Sequence, residues 1–284
     1  MNVFGCPRTT LEDHFATRSS EDRQRQKYHH SCGLFLQASH INHSCFGNAW
    51  RSFIGDMQIV RAARSIPANT EVEFSYILPG SDAQEKLQLA WGFQCICGIC
   101  ENAGKTPKKT LKKRSMLMED LKSAFGSDNG MDFAKAERLV VAIDKTYPIG
   151  AKEVPRLDLS DPYLLLTRVY IATDQPYQAI EAAFKGLASL GFAMTKDSSS
   201  PTSSFEVEQW GLMTDQVVEI WIHLWTCYGH VAPGLCPQVE QHAKTAYKIC
   251  IGEDDTFEER YGGSVREAIR VRGNWVDRFQ RMSV

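Results

Sequence analysis

Apolar and polar positions follow two different patterns along this chain. Between residues 34 and 78, short stretches rich in apolar and β-branched side chains are separated by turn residues. Residues 50–53 and 57–62 predict two strands, and Gly55-Asp56 between them is typical of a hairpin turn. Residues 71–77 predict another strand after the turn at residues 66–70. Since no crossover helix separates these strands, we expect small, twisted antiparallel sheets.

Helical spacing of apolar residues begins at residue 82. Residues 84–91 predict one helix that leads into a group of cysteines. Beyond residue 115 we find no strand pattern, and the C-terminal half is expected to be all-helical. Clusters of glycine, proline and serine separate seven predicted helices at residues 116–125, 133–147, 161–173, 178–190, 206–228, 238–251 and 265–276.

One predicted helix pair follows the spacing of a known repeat. Tyr163, Leu166, Tyr170 and Ala179 fall near the large and small positions of a tetratricopeptide hairpin. Only this pair matches the repeat, so we expect a tetratricopeptide-like helical domain rather than a regular array.

The basic run at residues 105–114 marks the change from strands to helices. Its sequence is Lys-Thr-Pro-Lys-Lys-Thr-Leu-Lys-Lys-Arg. We interpret it as a solvated linker and domain boundary, while a nuclear localisation signal and a phosphate-binding patch are the alternatives. The predicted organisation is a polar and helical N-terminal segment at 1–32, a strand-rich unit at 33–103, the linker at 104–115 and the helical domain at 116–284.

Composition and charge exclude some classes of protein. The chain has 284 residues, of which 43% are hydrophobic, enough for one large or two medium globular domains. Its net charge of −2 gives no general attraction for nucleic acid or anionic membranes. The sequence contains no run of about 18 or more apolar residues, the length that a membrane-spanning helix needs. Residues 1–30 lack the apolar core of a secretory signal. We therefore expect a cytoplasmic or nuclear protein that binds neither nucleic acid nor membrane directly.

Three cysteines have the spacing of a metal site. Cys95, Cys97 and Cys100 are close enough in sequence for their thiolates to converge on one soft cation. A disulfide between the first two would be badly strained, and ordinary buried thiols are the alternative. A closed tetrahedral zinc site needs a fourth ligand from elsewhere. Five other cysteines have no motif spacing and are interpreted as packing residues: Cys6, Cys32, Cys227, Cys236 and Cys250.

Three segments together resemble a known catalytic fold. They are Ser-His-Ile-Asn-His-Ser-Cys at residues 39–45, Glu-Val-Glu-Phe-Ser-Tyr at 71–76 and Trp-Gly-Phe-Gln-Cys-Ile-Cys-Gly-Ile-Cys at 91–100. Their order and spacing closely resemble the C-terminal half of a SET domain, the fold of S-adenosylmethionine-dependent protein-lysine methyltransferases. The whole chain resembles the SET and MYND subfamily, including its fungal members. The resemblance implies an α+β fold: a partial SET β-fold with small antiparallel sheets and a post-SET zinc knuckle, followed by the all-α tetratricopeptide-like domain.

The resemblance also implies roles for individual residues. Tyr76 occupies the position of the family's catalytic tyrosine, whose hydroxyl orients the amine and polarises the methyl group. Asn42 and His43 take cofactor-binding positions, Phe93 matches an aromatic residue that stacks on adenine, and Ser39 is placed at the cofactor or lysine end. Without the motifs, the structural alternatives are a core tyrosine, a turn asparagine, a satisfied core histidine and a phenylalanine that packs the knuckle.

The fourth zinc ligand is also implied by the resemblance. In the family, the cysteine of the Asn-His-Ser-Cys segment joins the post-SET cysteines around one zinc ion. The implied ligands are therefore Cys45, Cys95, Cys97 and Cys100. The expected cofactors are S-adenosylmethionine and zinc, and the expected substrate is a protein that bears a lysine, histone or non-histone. The helical domain is expected to bind a protein partner.

Two functions fit the sequence. SET domains normally begin with a strand pair whose Gly-x-Gly turn wraps the methionine part of the cofactor, and no such sequence precedes Gly33. In the first interpretation, the chain is a lysine methyltransferase whose N-terminal portion is missing from the sequence or replaced. In the second, it is a zinc-stapled, helical interaction scaffold that has lost transfer activity. Binding of S-adenosylmethionine distinguishes the two.

Overall fold

The structure is a computed structural model that describes residues 3–7, 30–54, 57–80, 82–125, 132–147, 154–196, 200 and 203–270. Its strands are β1 Val3–Pro7, β2 His30–Leu34, β3 Asn42–His43, β4 Ala49–Ile54, β5 Met57–Ala62, β6 Glu73–Phe74, β7 Ala193–Lys196 and β8 Phe205–Gln209. Its helices are α1 Ala83–Trp91, α2 Gly98–Lys105, α3 Lys108–Phe125, α4 Phe133–Asp144, α5 Ser160–Ala172, α6 Pro176–Ser189, α7 Asp215–Val231, α8 Cys236–Ile251 and α9 Gly263–Arg270. The predicted α+β class is confirmed.

The strands form four two-stranded sheets within the described residues. Three are antiparallel: β1 with β2, β4 with β5, and β7 with β8. Of these, only the β4–β5 pair was predicted from the sequence. The predicted hairpin is β4–β5, with Ile54 opposite Met57, while its turn residues 55 and 56 lie outside the described residues. The strand predicted at 71–77 is reduced to β6, which pairs parallel with β3. The long connection that a parallel pair needs is supplied here by the β4–β5 hairpin rather than by a helix.

β1 and β2 correct the expectation of a helical N-terminal segment. The two strands pair with Val3 opposite Leu34 and Pro7 opposite His30. The partner of β1 is distant in sequence, and strand formation depends on such cross-strand neighbours more than on local composition. The polar run at residues 18–27, on which the helical expectation rested, lies outside the described residues.

The helices beyond residue 107 pack around two hydrophobic clusters. α5 packs on α6, α6 on α7, and α7 on α8. The larger cluster contains Trp221, Trp225 and Tyr228 of α7, whose side chains are fully buried. The smaller cluster joins α3, α4 and α5 and includes Leu121 and Val140. The helical C-terminal half is therefore present, and its likeness to tetratricopeptide repeats stays a prediction.

β7 and β8 show that this half also contains a hairpin, which we did not predict. The helix predicted at 206–228 begins only at Asp215. In β8, Phe205 is buried, Glu206 and Glu208 are exposed, and Val207 is half-buried. This alternation has the period of a strand and could have been recognised. The predicted helix began too early because α7, which follows β8, is strongly apolar.

The basic run predicted as a linker is largely helical. Residues 108–114 form the start of α3, in which lysine and leucine are good helix formers. Arg114 is buried: its guanidinium lies 3.6 Å from the centre of the Tyr147 ring and donates to the carbonyl oxygen of Thr146. The run is thus not a solvated chain along its whole length, and the domain boundary at 104–115 stays a prediction.

The β4–β5 hairpin docks on the C-terminal end of α8. Trp50 Nε1 donates to the carbonyl oxygen of Cys250 at 3.2 Å, and Arg61 donates to that of Gly252 through Nε at 3.1 Å and Nη2 at 2.5 Å. Ala63 belongs to the larger helical cluster, and Phe46 packs against it. The larger helical cluster therefore extends to residues of the strand-rich part.

Gly252 lies where α8 and the β4–β5 hairpin approach each other too closely for a side chain. It caps α8 with a φ of +100°, and a Cβ at this position would lie 2.7 Å from Ser52 Oγ and 2.9 Å from Ile59 Cδ1. Gly92 caps α1 with a φ of +76° but has no atom within 4 Å of its Cβ position.

We expect Gly252→Ala to reduce the free energy of unfolding by about 1–3 kcal/mol more than Gly92→Ala. Both substitutions carry the cost of a positive φ, and only the first also crowds the interface. Urea unfolding of the two variants measures the difference. Equal losses would show that the hairpin tolerates displacement from α8.

Candidate active site and metal centre

The Asn-His-Ser-Cys segment passes close beneath β6. β3 pairs with β6, and the N–H of Ser44 donates to the carbonyl oxygen of Phe74 at 3.3 Å. Asn48 stabilises this crossing of the two segments. Its Nδ2 donates to the carbonyl oxygen of Glu71 at 2.7 Å, and its Oδ1 accepts from the N–H of Glu73 at 2.9 Å. Asn48 was not among the predicted site residues, although it lies only three residues after Cys45.

Gly47 permits this close crossing. A Cβ at this position would lie 2.5 Å from the carbonyl oxygen of Glu73 and 2.8 Å from the Cα of Phe74. Both are backbone atoms, which cannot move aside without shifting β6. A side chain here would therefore disturb the strand that leads to Tyr76.

We expect Gly47→Ala to reduce the free energy of unfolding by about 1–3 kcal/mol, the usual cost of overpacking a filled site. Gly104→Ala is the control, since no atom lies within 4 Å of the Cβ position there. Chemical denaturation of both variants checks the prediction. A Gly47→Ala variant as stable as the control would mean that the crossing is looser than these distances indicate.

Tyr76 is held at both ends by the segment that precedes the cysteine. Its side chain is 8% exposed, its hydroxyl donates to the carbonyl oxygen of Ile41 at 2.7 Å, and its backbone N–H donates to His43 Nδ1 at 2.9 Å. The ring packs against the rings of Phe74 and Trp91 at centroid distances of 5.7 and 5.4 Å. The tyrosine is therefore both a core residue and a residue with a fixed hydroxyl.

His43 lies between Tyr76 and Cys45. Its side chain is buried on β3, and its Nε2 lies 3.3 Å from Cys45 Sγ. Burial lowers the pKa of His43, which favours the neutral ring near pH 7. Both ring nitrogens thus have partners within the protein.

The four predicted metal ligands come together in the fold. The sulfur atoms of Cys45, Cys95, Cys97 and Cys100 all lie within 4.8 Å of one another, and those of Cys45 and Cys100 are 3.6 Å apart. A tetrahedral zinc site with Zn–S bonds of about 2.3 Å separates its sulfur atoms by about 3.8 Å. The cluster therefore has the size that zinc requires.

The ionisation of the cluster also fits a divalent cation. The hydrogen bond with Cys97, followed by burial, raises the pKa of Cys45. The same hydrogen bond lowers the pKa of Cys97 to about 4, whereas burial raises that of Cys100 to about 12. Four adjacent thiols cannot all lose their protons without a counter-charge, and a metal dication supplies it. The donor set thus fits zinc.

Gln84 on α1 holds the cysteine knuckle in place. Its Nε2 donates to the carbonyl oxygen of Cys95 at 2.6 Å, and its Oε1 accepts from the N–H of the same residue at 2.9 Å. Cys97 immediately precedes α2, whose N-terminus favours negative charge. Gln84 was not among the predicted site residues, because a glutamine in the first turn of a helix carries no signal of the segment that it will contact.

The other predicted site residues lie nearer the surface. Phe93 is half-buried, with its ring centre 5.8 Å from that of His43 and 6.4 Å from that of Tyr76. Asn42 is exposed and donates through Nδ2 to Glu71 Oε1 at 2.5 Å. The Ser39 hydroxyl donates to the carbonyl oxygen of Leu36 at 2.8 Å. Tyr76, His43, Phe93 and the cysteines therefore form one cluster, whereas the side chains of Asn42 and Ser39 are bonded to Glu71 and Leu36.

A cavity of about 450 Å³ lies on the side of Tyr76 that faces the helices. Ligand pockets commonly have this size. Arg51 is a half-buried residue of its wall and donates through Nη2 to the carbonyl oxygen of Tyr76 at 3.0 Å; partial burial lowers the pKa of its guanidinium. Arg51 was not among the predicted site residues, although a charged residue within an apolar strand was the available signal. Both halves of the chain contribute lining residues, among them Phe74, Ser75, Leu212, Met213 and Ile251.

Comparison with known proteins identifies the relatives of this chain. No family model matches it. Over 270 residues, 91% of the chain, it is 35% identical to a methyltransferase of Gibberella zeae, of which it covers 37%. Over 116 residues it is 32% identical to histone-lysine N-methyltransferase SET5 of Meyerozyma guilliermondii, and over 114 residues 31% identical to N-lysine methyltransferase SMYD2-B of Xenopus laevis. The chain is a homologue of SET and SMYD methyltransferases.

The SET homology does not extend over the full length of these relatives. The alignments cover 34% of the chain and 24% of SET5, and 38% of the chain and 26% of SMYD2-B. The chain thus spans less than two fifths of each of these three proteins. Within the part of this SET homologue that the structure describes, no helix is both long enough and apolar enough to cross a membrane.

Proposed function

We propose that this chain is a SET-type, S-adenosylmethionine-dependent protein-lysine N-methyltransferase in which Tyr76 is the catalytic residue. The observation that carries the proposal is the way in which one short segment, Ile41 to Cys45, holds Tyr76 and also contributes to the four-cysteine cluster. The methyltransferase homologues support the reaction class. A scaffold without transfer activity is the alternative that the experiment below distinguishes.

The environment of Tyr76 suits methyl transfer to an amine. When bound, S-adenosylmethionine supplies a methyl group on a positively charged sulfur. The Tyr76 hydroxyl donates its proton to the carbonyl oxygen of Ile41, and a tyrosine hydroxyl that donates in this way can also accept from a lysine amine and orient it. The surrounding rings of Phe74 and Trp91 exclude water, and desolvation lowers the pKa of a lysine. An uncharged, aligned amine is what an in-line displacement requires.

Four residues are proposed for the cofactor side of the site. Asn42 offers an exposed carboxamide, and Phe93 offers a half-buried ring on which adenine can stack. His43 would contribute through its backbone, because its imidazole is already engaged. Ser39 would contribute a hydroxyl from the turn Ala38–His40. These four residues bind and orient, and none of them is required to react.

The metal is proposed to be structural zinc. Cys45, Cys95, Cys97 and Cys100 provide four sulfur ligands, and a site closed by four protein ligands leaves no position for substrate or water. Zinc would therefore fix the segment that holds Tyr76 without taking part in the reaction. Elemental analysis should find one zinc ion per chain.

The substrate is proposed to be a protein lysine. Two of the relatives named above are a histone-lysine and an N-lysine methyltransferase, which leaves histone and non-histone proteins as substrates. The cavity beside Tyr76 is the proposed entrance for the lysine, and the helical domain is proposed to bind a protein partner. The strand-rich unit at 33–103, the helical domain at 116–284 and a nuclear or cytoplasmic location belong to the same proposal.

Calorimetric titration of the purified chain with S-adenosylmethionine tests the proposal. Saturable binding with one site per chain is expected, and Phe93→Ala should weaken it by about tenfold or more, because a stacked ring contributes about 1–3 kcal/mol. Tyr177→Ala is the control, since Tyr177 is an exposed aromatic residue on α6. Absence of binding to the wild-type chain would favour the scaffold.

A further inference from the structure

His43 makes two contacts that belong to different parts of the site. Its Nδ1 accepts the backbone N–H of Tyr76 at 2.9 Å, and its Nε2 lies 3.3 Å from the sulfur of Cys45. The side chain is buried, and the imidazole lies edge-on to the Tyr76 ring at 5.2 Å.

The first contact determines the role of the second. A backbone N–H is always a donor, so Nδ1 must be the unprotonated acceptor. The ring proton of neutral His43 is then on Nε2, where it points toward Cys45 Sγ. With both nitrogens used in this way, His43 donates to a sulfur and is not itself a metal ligand. The four sulfur atoms complete a tetrahedral set without it.

We propose that His43 is a positioning residue that joins the metal-bound sulfur of Cys45 to the backbone of Tyr76. The inference rests on the proposed zinc site and on the proposed role of Tyr76. Donation from Nε2 stabilises the thiolate, and acceptance by Nδ1 fixes the N–H of Tyr76. Because the Tyr76 hydroxyl is bonded to Ile41, two residues before His43, the same segment fixes both ends of the tyrosine. Zinc binding would thus be transmitted to the backbone of Tyr76 through one imidazole.

Three substitutions of His43 separate the two contacts. His43→Asn keeps an acceptor near Nδ1 and loses the donor to sulfur. His43→Gln keeps a donor near Nε2 and loses the acceptor for Tyr76. His43→Phe keeps the ring shape and loses both contacts. His40→Asn and His40→Gln are the controls, because His40 is exposed and lies on the preceding turn.

Two measurements on the full chain read the two contacts independently. With cobalt(II) in place of zinc, loss of the N–H donor should move the sulfur-to-metal charge-transfer band to lower energy and speed metal release to a chelator by about 10- to 100-fold. Loss of the acceptor should speed hydrogen exchange of the Tyr76 amide by about tenfold, the effect of one hydrogen bond. His43→Asn should change only the first, His43→Gln only the second, and His43→Phe both.

The outcomes separate this inference from the proposed metal site. A wild-type chain that binds neither cobalt nor zinc would overturn the metal site, and the bridge with it. A wild-type chain that binds the metal, with all three variants matching the His40 controls in spectrum, metal release and amide exchange, would overturn the bridge alone. Metal binding would in that case still stand on the four cysteines.

Discussion

Replacing Cys45 by serine is expected to remove zinc from the chain and to reduce its free energy of unfolding by more than about 3 kcal/mol, since in structural sites the metal-binding energy is also folding energy. Cys45 is fully buried, so the serine hydroxyl would also lie in an apolar site with poor partners. Serine at any of the other three cysteines should release the metal in the same way. Elemental analysis and thermal melting, with and without chelator, measure both effects.

Cys227→Ser is the matched control for this experiment. Cys227 is 1% exposed and lies on α7, outside the cysteine cluster. The control should therefore lose some stability from its buried hydroxyl while keeping one zinc ion per chain. A Cys45→Ser variant that retains zinc, or a wild-type chain whose melting curve is unchanged by a chelator, contradicts the proposed metal site.

Replacing Tyr76 by phenylalanine is expected to reduce methyl transfer by about 10- to 1,000-fold, the range for the loss of one preorganised polar contact. The substitution removes the hydroxyl bonded to Ile41 and keeps the ring contacts with Phe74 and Trp91. Cofactor binding should hardly change, and stability should fall by only about 1 kcal/mol. The measurement is incorporation of labelled methyl groups from S-adenosylmethionine into a peptide library.

Tyr247→Phe controls for the stability cost alone. The Tyr247 side chain is 1% exposed, and its hydroxyl is hydrogen-bonded to that of Thr256 at 2.7 Å. Loss of this hydroxyl should affect melting as much as the Tyr76 change does, without affecting incorporation. Equal, nonzero incorporation by wild type and Tyr76→Phe would remove Tyr76 from the catalytic role.

The sequence allowed prediction of those parts of the fold and site that depend on local pattern or on motif spacing. The β4–β5 hairpin and most helices follow from apolar periodicity. The meeting of Cys45 with the three later cysteines was implied by the resemblance to SET domains and is present in the fold. Motifs succeed here because a metal site needs particular side chains at particular separations.

Contacts between distant segments were not predictable in this way. In the pairing of β1 with β2, two backbone segments that are distant in sequence meet. Gln84 and Asn48 are common residue types, and each bonds to the backbone of a residue elsewhere in the sequence: Gln84 to Cys95, and Asn48 to Glu73 of β6. Such residues have no distinctive spacing, because the partner is a backbone amide that every residue carries. The β7–β8 hairpin is different, since the alternation in Phe205–Gln209 was available and was missed.

The docking of the β4–β5 hairpin on α8 has a consequence for how the chain folds during synthesis. Trp50 and Cys250 are 200 residues apart in sequence, and Arg61 and Gly252 are 191 apart. At about 5–20 residues per second, a ribosome needs about 10–40 s to make the intervening chain. During this time α8 has not yet been made, and part of the apolar surface of the hairpin stays exposed to solvent. Such long-range closure slows folding, and the nascent N-terminal portion is the part of the molecule that would most need a chaperone.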